Sequence, residues 1–267
     1  MTTLRVPPPV DFYNRLQPAF GDANVAAYVS QQIQLRDPFS RFGPRVFGKF
    51  TDFIDDVENT GFTALNDGSS GSNAFVDAAG GVYNIVTAAA DNDYQAIGTD
   101  NEPFLFAANK PLWAECFIRH TQGNTSLDAA FWFGLTNTTT TGGLQANAAG
   151  PLASYDGALW WKNEDGDTLN FENSNATTQD TESSIVDWPD ATWVRLGLYF
   201  DGTPTTSRIT PYYNVSGDPW GAWVQGPQTT ITLSGLDEMH LVLGVKAGPG
   251  GGAETLQADW LGCWQVR

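Results

Sequence analysis

The stretch that decides the fold is residues 192–214, TWVRLGLYFDGTPTTSRITPYYN. From 193 to 200 the even positions hold Val, Leu, Leu and Phe, and the odd positions hold Trp, Arg, Gly and Tyr. This period of two is the pattern of a strand with one face on a core. Asp201 and Gly202 end the run, and Arg208 to Tyr213 has the pattern of a returning strand. The stretch therefore predicts a β-hairpin with a wide loop.

The same pattern recurs outward from this hairpin in about a dozen short segments. Clusters of Gly, Asn, Asp and Thr separate them, such as TNTTTTGG at 136–143 and AGPGGG at 247–252. The other predicted strands are 61–65, 81–87, 94–98, 103–106, 112–120, 129–135, 157–162, 168–172, 220–224, 229–233, 239–246 and 255–266. Many short strands joined by such turns are typical of a sandwich. We expect an all-β, two-sheet antiparallel jelly-roll sandwich over residues 51–267.

The last predicted strand, TLQADWLGCWQV at 255–266, is apolar on both faces. Strict alternation places Leu256, Ala258 and Trp260 on one side, together with Trp264. Leu261 and Cys263 fall on the other side. A strand that is apolar on both faces belongs in the middle of a sheet.

Residues 1–50 differ from this body and predict an N-terminal arm. Pro7, Pro8 and Pro9 favour an extended polyproline backbone. Asp22 can cap a short helix over residues 23–34. Basic and aromatic side chains follow in RDPFSRFGPRVFGKF at 36–50. The predicted partner-binding residues of the arm are Arg5, Pro8, Arg36, Phe39, Arg41, Phe42, Arg45 and Phe47. The alternative is that these residues cover the protein's own sandwich.

The charge distribution limits the classes of partner. The 267-residue chain has a net charge of −17, which disfavours a nucleic-acid-binding surface. Residues 1–49 hold six basic and three acidic side chains, a net +3, whereas residues 50–267 hold seven and 27, a net −20. The start MTTLRVPPPV lacks the apolar region of a signal peptide. No apolar run is long enough for a transmembrane helix, so we expect no membrane partner.

The cysteines and histidines predict no redox or zinc chemistry. Cys116 and Cys263 each lie in an apolar strand pattern, which favours two buried small side chains over a disulfide. His120 and His240 lie far apart in sequence and have no metal-ligand spacing.

The acidic loops make bound calcium an alternative, although a weaker one than a protein without a cofactor. Asp91, Asp93 and Asp100, or the acidic turn at 163–167, supply carboxylates. Calcium requires several oxygens that converge on one point, and neither segment matches an EF-hand loop. We therefore expect no cofactor.

Six quoted segments together resemble a known superfamily. They are PLWAECFIRH (111–120), AAFWFGL (129–135), DGALWWK (156–162), TWVRLGLYFDG (192–202), YYNVSG (212–217) and ETLQADWLGCWQV (254–266). Their order and spacing resemble the concanavalin A-like lectin/glucanase superfamily, most closely the jelly-roll domains of tailed-bacteriophage virion proteins. The resemblance covers about residues 52–267. It implies a protein that binds glycans, cleaves β-glucans, or decorates phage capsids and tails.

The glucanases of this superfamily carry alternating acids, Glu-x-Asp-x-Glu, on one strand, so that nucleophile and acid share a face. The nearest candidates here are Glu164, Asp165 and Asp167 beside Gly166, with Glu172 beyond. Acids in a turn are normally solvated. The resemblance therefore carries no catalytic residue over to this chain, and we expect no enzymatic activity.

A glycan-binding module would use exposed aromatic rings for stacking. The candidates are Trp160, Trp161, Trp220 and Trp223. Neighbours on a strand face opposite ways, so only one of Trp160 and Trp161 can face solvent. A large sandwich also needs big core residues, so burial is the alternative for each ring.

The leading hypothesis from the sequence is a non-enzymatic phage structural protein, a capsid decoration or cement protein. The basic, aromatic arm would bind the major capsid protein, other virion subunits or a second copy in a homo-oligomer. The acidic body would face solvent on the virion surface. Without a signal peptide, assembly in the host cytoplasm is expected. The alternatives are a glycan-binding module of a tail or fibre, and an atypical glycoside hydrolase.

Overall fold

A computed structural model of the protein describes residues 46–53, 61–66, 70–76, 81–121, 129–139, 150–164, 166–249 and 252–266. These residues form 16 strands in two antiparallel sheets. The all-β sandwich expected from the sequence is confirmed. The predicted helix at 23–34 lies outside the described residues. Within them, no helix has the length and apolarity needed to cross a membrane.

The first sheet has nine strands. Its order is β13-β12-β11-β6-β16-β4-β3, with β1 beside β16 and β14 beside β12. The strands are β1 (Val46–Thr51), β3 (Ser72–Val76), β4 (Val82–Val86), β6 (Leu112–Thr121), β11 (Trp193–Phe200), β12 (Thr206–Asn214), β13 (Val224–Gln225), β14 (Thr229–Thr232) and β16 (Thr255–Val266). The C-terminal strand β16 is central, as predicted, because β6 pairs with one side of it and β1 and β4 with the other.

The second sheet has seven strands in the order β10-β9-β8-β7-β15-β5-β2. The strands are β2 (Phe62–Asn66), β5 (Tyr94–Thr99), β7 (Ala129–Thr136), β8 (Gly157–Lys162), β9 (Thr168–Asn175), β10 (Thr178–Asp187) and β15 (His240–Ala247). β7, β8, β9 and β10 follow one another as a meander. One edge of this sheet, at β9 and β10, therefore lies beside β14 of the first sheet.

The central hairpin forms as the alternation predicts. β11 pairs with β12 from Arg195↔Asn214 to Phe200↔Ile209. The even-numbered residues of β11, from Val194 to Phe200, are fully buried in the core between the sheets. The odd-numbered residues therefore face away from the core, on the outer face of the nine-stranded sheet.

A β-bulge changes the predicted faces of β16. Its pairing with β6 shifts register between Ala258 and Trp260. Leu256 and Ala258 therefore lie in the same core as Leu261 and Cys263, contrary to the prediction. The extra residue at a bulge reverses the side-chain alternation beyond it. Trp260 consequently faces outward.

Several predicted strand bounds were wrong. β1 begins at Val46, before the predicted domain start at 51, and β3 and β10 were not predicted. Residues 103–106 contribute only a bridge between Phe104 and Met239. Residues 220–223 are a turn rather than a strand, since only Val224 and Gln225 pair with β12. Segments as short as 103–106 and 220–223 have too little periodicity to distinguish a strand from a turn.

Candidate functional site

The four tryptophans proposed for stacking have different environments. Trp160 is fully buried, and its Nε1–H donates to the Gly197 carbonyl oxygen at 2.8 Å. It cannot stack on a ligand, so that prediction was wrong. Trp161 and Trp223 are each only 8% exposed. Trp161 lies in the apolar cluster on the outer face of the seven-stranded sheet. Trp220 is 47% exposed and is the one of the four that offers ring area to solvent.

Trp220 ends a row of four stacked rings, which we call the aromatic ladder. The ladder comprises Trp193, Phe117, Trp260 and Trp220, on β11, β6, β16 and the loop after β12. Successive ring centroids are 5.0, 4.7 and 6.4 Å apart, and the ring planes differ by 23° to 28°. The rings come from adjacent strands because Trp260 pairs with Phe117 in register. The ladder therefore crosses the outer face of the nine-stranded sheet.

Local hydrogen bonds fix the loop that carries Trp220. The Trp220 N–H donates to the Asp218 side chain at 2.8 Å, and the Gly221 N–H donates to the Asp218 carbonyl at 3.1 Å. The Ser216 N–H donates to the Asn214 side chain at 2.8 Å. Side-chain caps of this kind hold tight turns in one conformation. The loop backbone at Trp220 is therefore held in place before any ligand binds, and the Trp220 ring rests on Trp260.

A buried ion pair ties the same loop to the sheet. Arg195 Nη2 lies 3.0 Å from Glu115 Oε2, and both side chains are 1% exposed. Arg195 Nη1 donates to the Pro219 carbonyl at 3.2 Å. Its guanidinium also lies 4.1 Å from the ring centre of Trp223, a cation–π distance. The charged pair therefore positions the residue that precedes Trp220.

Polar side chains run beside the ladder and form what we call the polar row, Arg119, Gln257 and Asn84. The three residues lie in one register across β6, β16 and β4. Arg119 Nε donates to Gln257 Oε1 at 2.8 Å, and Gln257 Nε2 donates to Asn84 Oδ1 at 2.9 Å. Arg119 also lies 5.2 Å above the Trp193 ring. The ladder and the polar row therefore form one surface.

The β16 bulge creates this juxtaposition. Gln257 pairs with Arg119 and Trp260 pairs with Phe117, although Gln257 and Trp260 are three positions apart. In a regular strand, residues three apart face opposite sides. The extra residue in the bulge places both on the outer face.

Glu172 stands apart from this surface, on the outer face of the seven-stranded sheet. Its carboxylate accepts hydrogen bonds from Thr181 Oγ1 at 2.5 Å, Gln179 Nε2 at 2.9 Å and the Tyr155 hydroxyl at 3.2 Å. Burial raises the pKa of Glu172 and raises the pKa of Tyr155 well above its usual value. Asn170 lies two residues before Glu172 on β9 and Ser174 two residues after it. This face of β9 therefore carries one carboxylate where a glucanase strand alternates several.

The remaining acidic candidates do not form a described cluster. Glu164 is 2% exposed, Asp167 is an exposed turn residue, and Asp165 lies outside the described residues. Asp93 accepts a hydrogen bond from the Ala88 N–H, and Asp100 accepts one from the Thr63 hydroxyl. Over the described part of the chain, no three His, Cys, Asp or Glu side chains are grouped to hold a metal ion.

The cysteines are buried free thiols, as the sequence predicted. Burial raises the pKa of Cys116 and of Cys263 well above the usual value for a thiol. His120 Nε2 lies 3.1 Å from Glu254 Oε2 inside the protein, and His240 lies at the surface beside Glu102.

One of the eight predicted arm residues, Phe47, lies within the described structure. It is partly buried against the core, and its ring stacks on Phe104 with centroids 5.4 Å apart. This position agrees with the alternative that arm aromatics cover the protein's own sandwich. The other seven predicted arm residues lie outside the described residues.

The sequence reasoning missed most of the residues of the ladder and the polar row, of which Phe117 and Trp260 are buried, at 5% and 7% exposed. It identified Trp220 but not Trp193, Phe117, Trp260 or the polar row. One signal was present, since Trp193 lies on the odd-numbered face of β11, away from the core. The partners come from β6 and from beyond the β16 bulge, and neither the strand pairing nor the bulge is readable from local alternation.

The sequence of this chain matches no family model and no curated protein. Its structure is similar to solved structures across most of its length. A protein of unknown function from Shewanella oneidensis MR-1 is 13% identical with a TM-score of 0.57, over 83% of this chain and 87% of that one. Arcelin-5, a lectin-like defense protein from Phaseolus vulgaris, is 9% identical with a TM-score of 0.57, over 84% and 99%.

Peanut lectin, in a complex with a nine-residue peptide, is 8% identical with a TM-score of 0.53, over 82% of this chain and 97% of that one. The fold is that of lectin-like jelly rolls. This confirms the concanavalin A-like fold expected from the sequence. At these identities the likeness establishes the fold and assigns no site residue.

Proposed function

We propose that this protein is a non-catalytic, carbohydrate-binding β-sandwich that binds neutral glycans on the surface formed by the aromatic ladder and the polar row. The observation that carries the proposal is Trp220, which is 47% exposed, while its backbone N–H is bonded to Asp218 and its ring stacks on Trp260. An indole stacks on the apolar C–H face of a sugar ring at little conformational cost. Lectins among the similar structures make this ligand class the natural first test, by analogy of fold.

The polar row supplies the hydrogen bonds that stacking lacks. A guanidinium has five N–H donors, and Arg119 directs two of its nitrogens at Gln257. Its remaining donors, together with the Gln257 and Asn84 amides, match the hydroxyl groups of a sugar. Because the three side chains already hold one another, little side-chain entropy is lost when a ligand binds.

The net charge favours neutral glycans over acidic ones. The protein carries −17 overall, which repels polyanions at long range. Arg119 is the one basic side chain within the ladder and the polar row, and it is already stacked on Trp193. We therefore expect neutral β-glucan, mannan, galactan or chitin oligosaccharides to bind better than uronic acid polymers.

The environment of Glu172 supports a non-catalytic role. Glycoside hydrolysis of the usual kind needs two carboxyl groups that flank the bond to be cleaved. Glu172 is buried under three hydrogen-bond donors, and its neighbours on the same face of β9 are Asn170 and Ser174. The protein is therefore expected to leave glycans intact, which product analysis by chromatography checks.

A glycan array tests the proposal. Full-length protein is screened on neutral and acidic oligosaccharides, and each hit is measured by titration calorimetry with wild type and with Trp220→Ala. Loss of at least tenfold in affinity is expected for the variant. Val224→Ala is the matched control because Val224 is equally exposed, at 47%, and lies outside the ladder. Equal affinity of wild type and Trp220→Ala would contradict the proposal.

Capsid decoration remains a separate prediction. Nothing in the structural comparisons supports a virion role, and seven of its eight predicted arm residues lie outside the described residues. Co-sedimentation of full-length protein with undecorated phage heads, at low and high salt, tests it against a variant with Arg36, Arg41 and Arg45 changed to Ala. Binding that the variant loses would support decoration, as would wild-type binding that is weaker at high salt. If the wild-type protein did not bind the phage heads, the capsid decoration prediction would be wrong.

A further inference from the structure

A polar cleft lies where the edges of the two sheets approach each other, and none of its lining residues belongs to the aromatic ladder or the polar row. β9 and β10 form one wall and β14, with the residues after it, forms the other. Its volume is about 440 Å³, within the range of about 300–1,000 Å³ typical of small-molecule sites. Seven of its eight lining side chains are polar, and Ile231 is the apolar one.

The key observation is an unpartnered amide in this cleft. Asn173 is 2% exposed, and its Nδ2 has no hydrogen-bond partner. Buried polar groups are nearly always hydrogen-bonded, because an unsatisfied donor keeps its full desolvation cost. Asn173 lines the cleft, so a rotation of its side-chain amide toward the cleft would bring Nδ2 to a ligand oxygen, which would provide the missing acceptor.

Hydrogen bonds between the sheets hold the cleft open in a fixed shape. Asn175 Nδ2 donates to the Thr232 carbonyl at 2.8 Å and to the Ser234 carbonyl at 3.0 Å. The Thr230 N–H donates to Asp180 Oδ2 at 3.2 Å. These bonds join β9 and β10 to the opposite wall. The walls are therefore positioned without a ligand.

We propose that this edge cleft is a second binding site, specific for a small, neutral, polyhydroxylated molecule of about monosaccharide size. The lining carries amides, hydroxyls and the Asp180 carboxylate, a set that both donates to and accepts from hydroxyl groups. No lining residue is basic, which disfavours phosphates and sugar acids. Ile231 offers an apolar contact for a C–H face. The inference does not depend on glycan binding at the ladder.

Side-chain amide NMR tests the proposal with full-length protein. The probes are D-glucose, D-galactose, D-mannose, myo-inositol and glycerol, each titrated separately. At least one probe is expected to shift the Asn173 side-chain NH₂ resonances in a saturable way and to leave the Trp220 indole resonance unchanged. Glucose 6-phosphate, titrated in the same way, is expected not to bind. Failure of all five probes to shift the Asn173 resonances would overturn the proposal.

Substitutions identify the residue responsible. Asn173→Ala is expected to lower the affinity for the bound probe at least tenfold, measured by calorimetry. Ser234→Ala, at the exposed rim, is expected to lower it several-fold and serves if Asn173→Ala does not fold. Trp220→Ala is the control for the ladder and is expected to leave this affinity unchanged. Unchanged affinity in both cleft variants, or a loss in Trp220→Ala that matches that of the cleft variants, would overturn the assignment.

Discussion

Arg195 and Glu115 form a buried ion pair, with Nη2 and Oε2 3.0 Å apart and both side chains 1% exposed. Arg195 lies on β11, one strand of the central hairpin, and its side chain is on the outer face of the nine-stranded sheet, away from the core. There its Nη1 also donates a hydrogen bond to the Pro219 carbonyl. Trp113 Nε1 donates to the same Glu115 oxygen at 3.0 Å. One charged pair therefore links the strand that decides the fold to the loop that presents Trp220.

Removing one charge of this pair is expected to be costly. Glu115→Ala leaves the Arg195 guanidinium buried without its counter-ion, so the free energy of unfolding should fall by about 3–5 kcal/mol. Urea denaturation followed by tryptophan fluorescence measures this. The same variant should lose affinity for any glycan that binds at the ladder, because the Trp220 loop loses its anchor.

The double variant Glu115→Leu, Arg195→Met is the control. It removes both charges, so no unpaired ion remains in the interior, and it should be more stable than Glu115→Ala. A double variant less stable than Glu115→Ala would mean that the stabilisation comes from the packing of Arg195 on Trp223 rather than from the pairing of charges.

Two glycines with positive φ are expected to respond differently to the same change. At Gly134 on β7, φ is +148° and a Cβ would lie 2.1 Å from the Ala158 carbonyl oxygen. Gly134→Ala should therefore destabilise by more than the about 1–3 kcal/mol of backbone strain alone. At Gly235, φ is +83° but a Cβ meets nothing within 4 Å, so Gly235→Ala should cost roughly 1–2 kcal/mol. Equal melting temperatures of the two variants would contradict this account.

The raised pKa of Glu172 predicts a pH dependence of stability. Burial raises this pKa above the ordinary 4.5, so the native protein holds the proton more tightly than the unfolded chain does. The contribution of Glu172 is thus fully present below pH 4.5 and is lost as pH rises through its folded-state pKa. The free energy of unfolding of wild type, relative to that of Glu172→Gln, should therefore fall as pH rises through this pKa.

Urea denaturation at a series of pH values measures this difference. Glu238→Gln, at an exposed position, is the matched control. Its difference from wild type in free energy of unfolding should not change with pH. A flat difference for Glu172→Gln as well would show that its three hydrogen-bond donors offset burial completely.

The sequence predicted the fold well where the alternation is long and one-sided. Residues 193–200 alternate without interruption, and the structure buries each even-numbered residue as the pattern requires. β10, at 178–187, was missed because TQDTESSIVD is polar over its first seven residues. It is an edge strand that reaches the core through Ile185 and Val186, and along its polar part the pairing with β9 rather than its own periodicity holds it in the sheet.

The candidate site was harder to predict, because it depends on which strands are neighbours. The sequence pattern does not distinguish Trp160 from Trp220, yet Trp160 is a core residue and Trp220 lies on an exposed loop. The bulge at β16 moves Trp260 and Gln257 to the same face, a change that strict alternation cannot foresee. Asn173 gives no sequence signal, since its significance lies in the absence of a hydrogen-bond partner.

The most direct test of glycan binding at the ladder is the set of indole N–H resonances. The ten tryptophans are assigned in the ¹⁵N spectrum of full-length protein, which is then titrated with the best array ligand. The account predicts saturable shifts at Trp220, with smaller ones at Trp193 and Trp260. Shifts confined to Trp132 and Trp161, on the outer face of the other sheet, would contradict it.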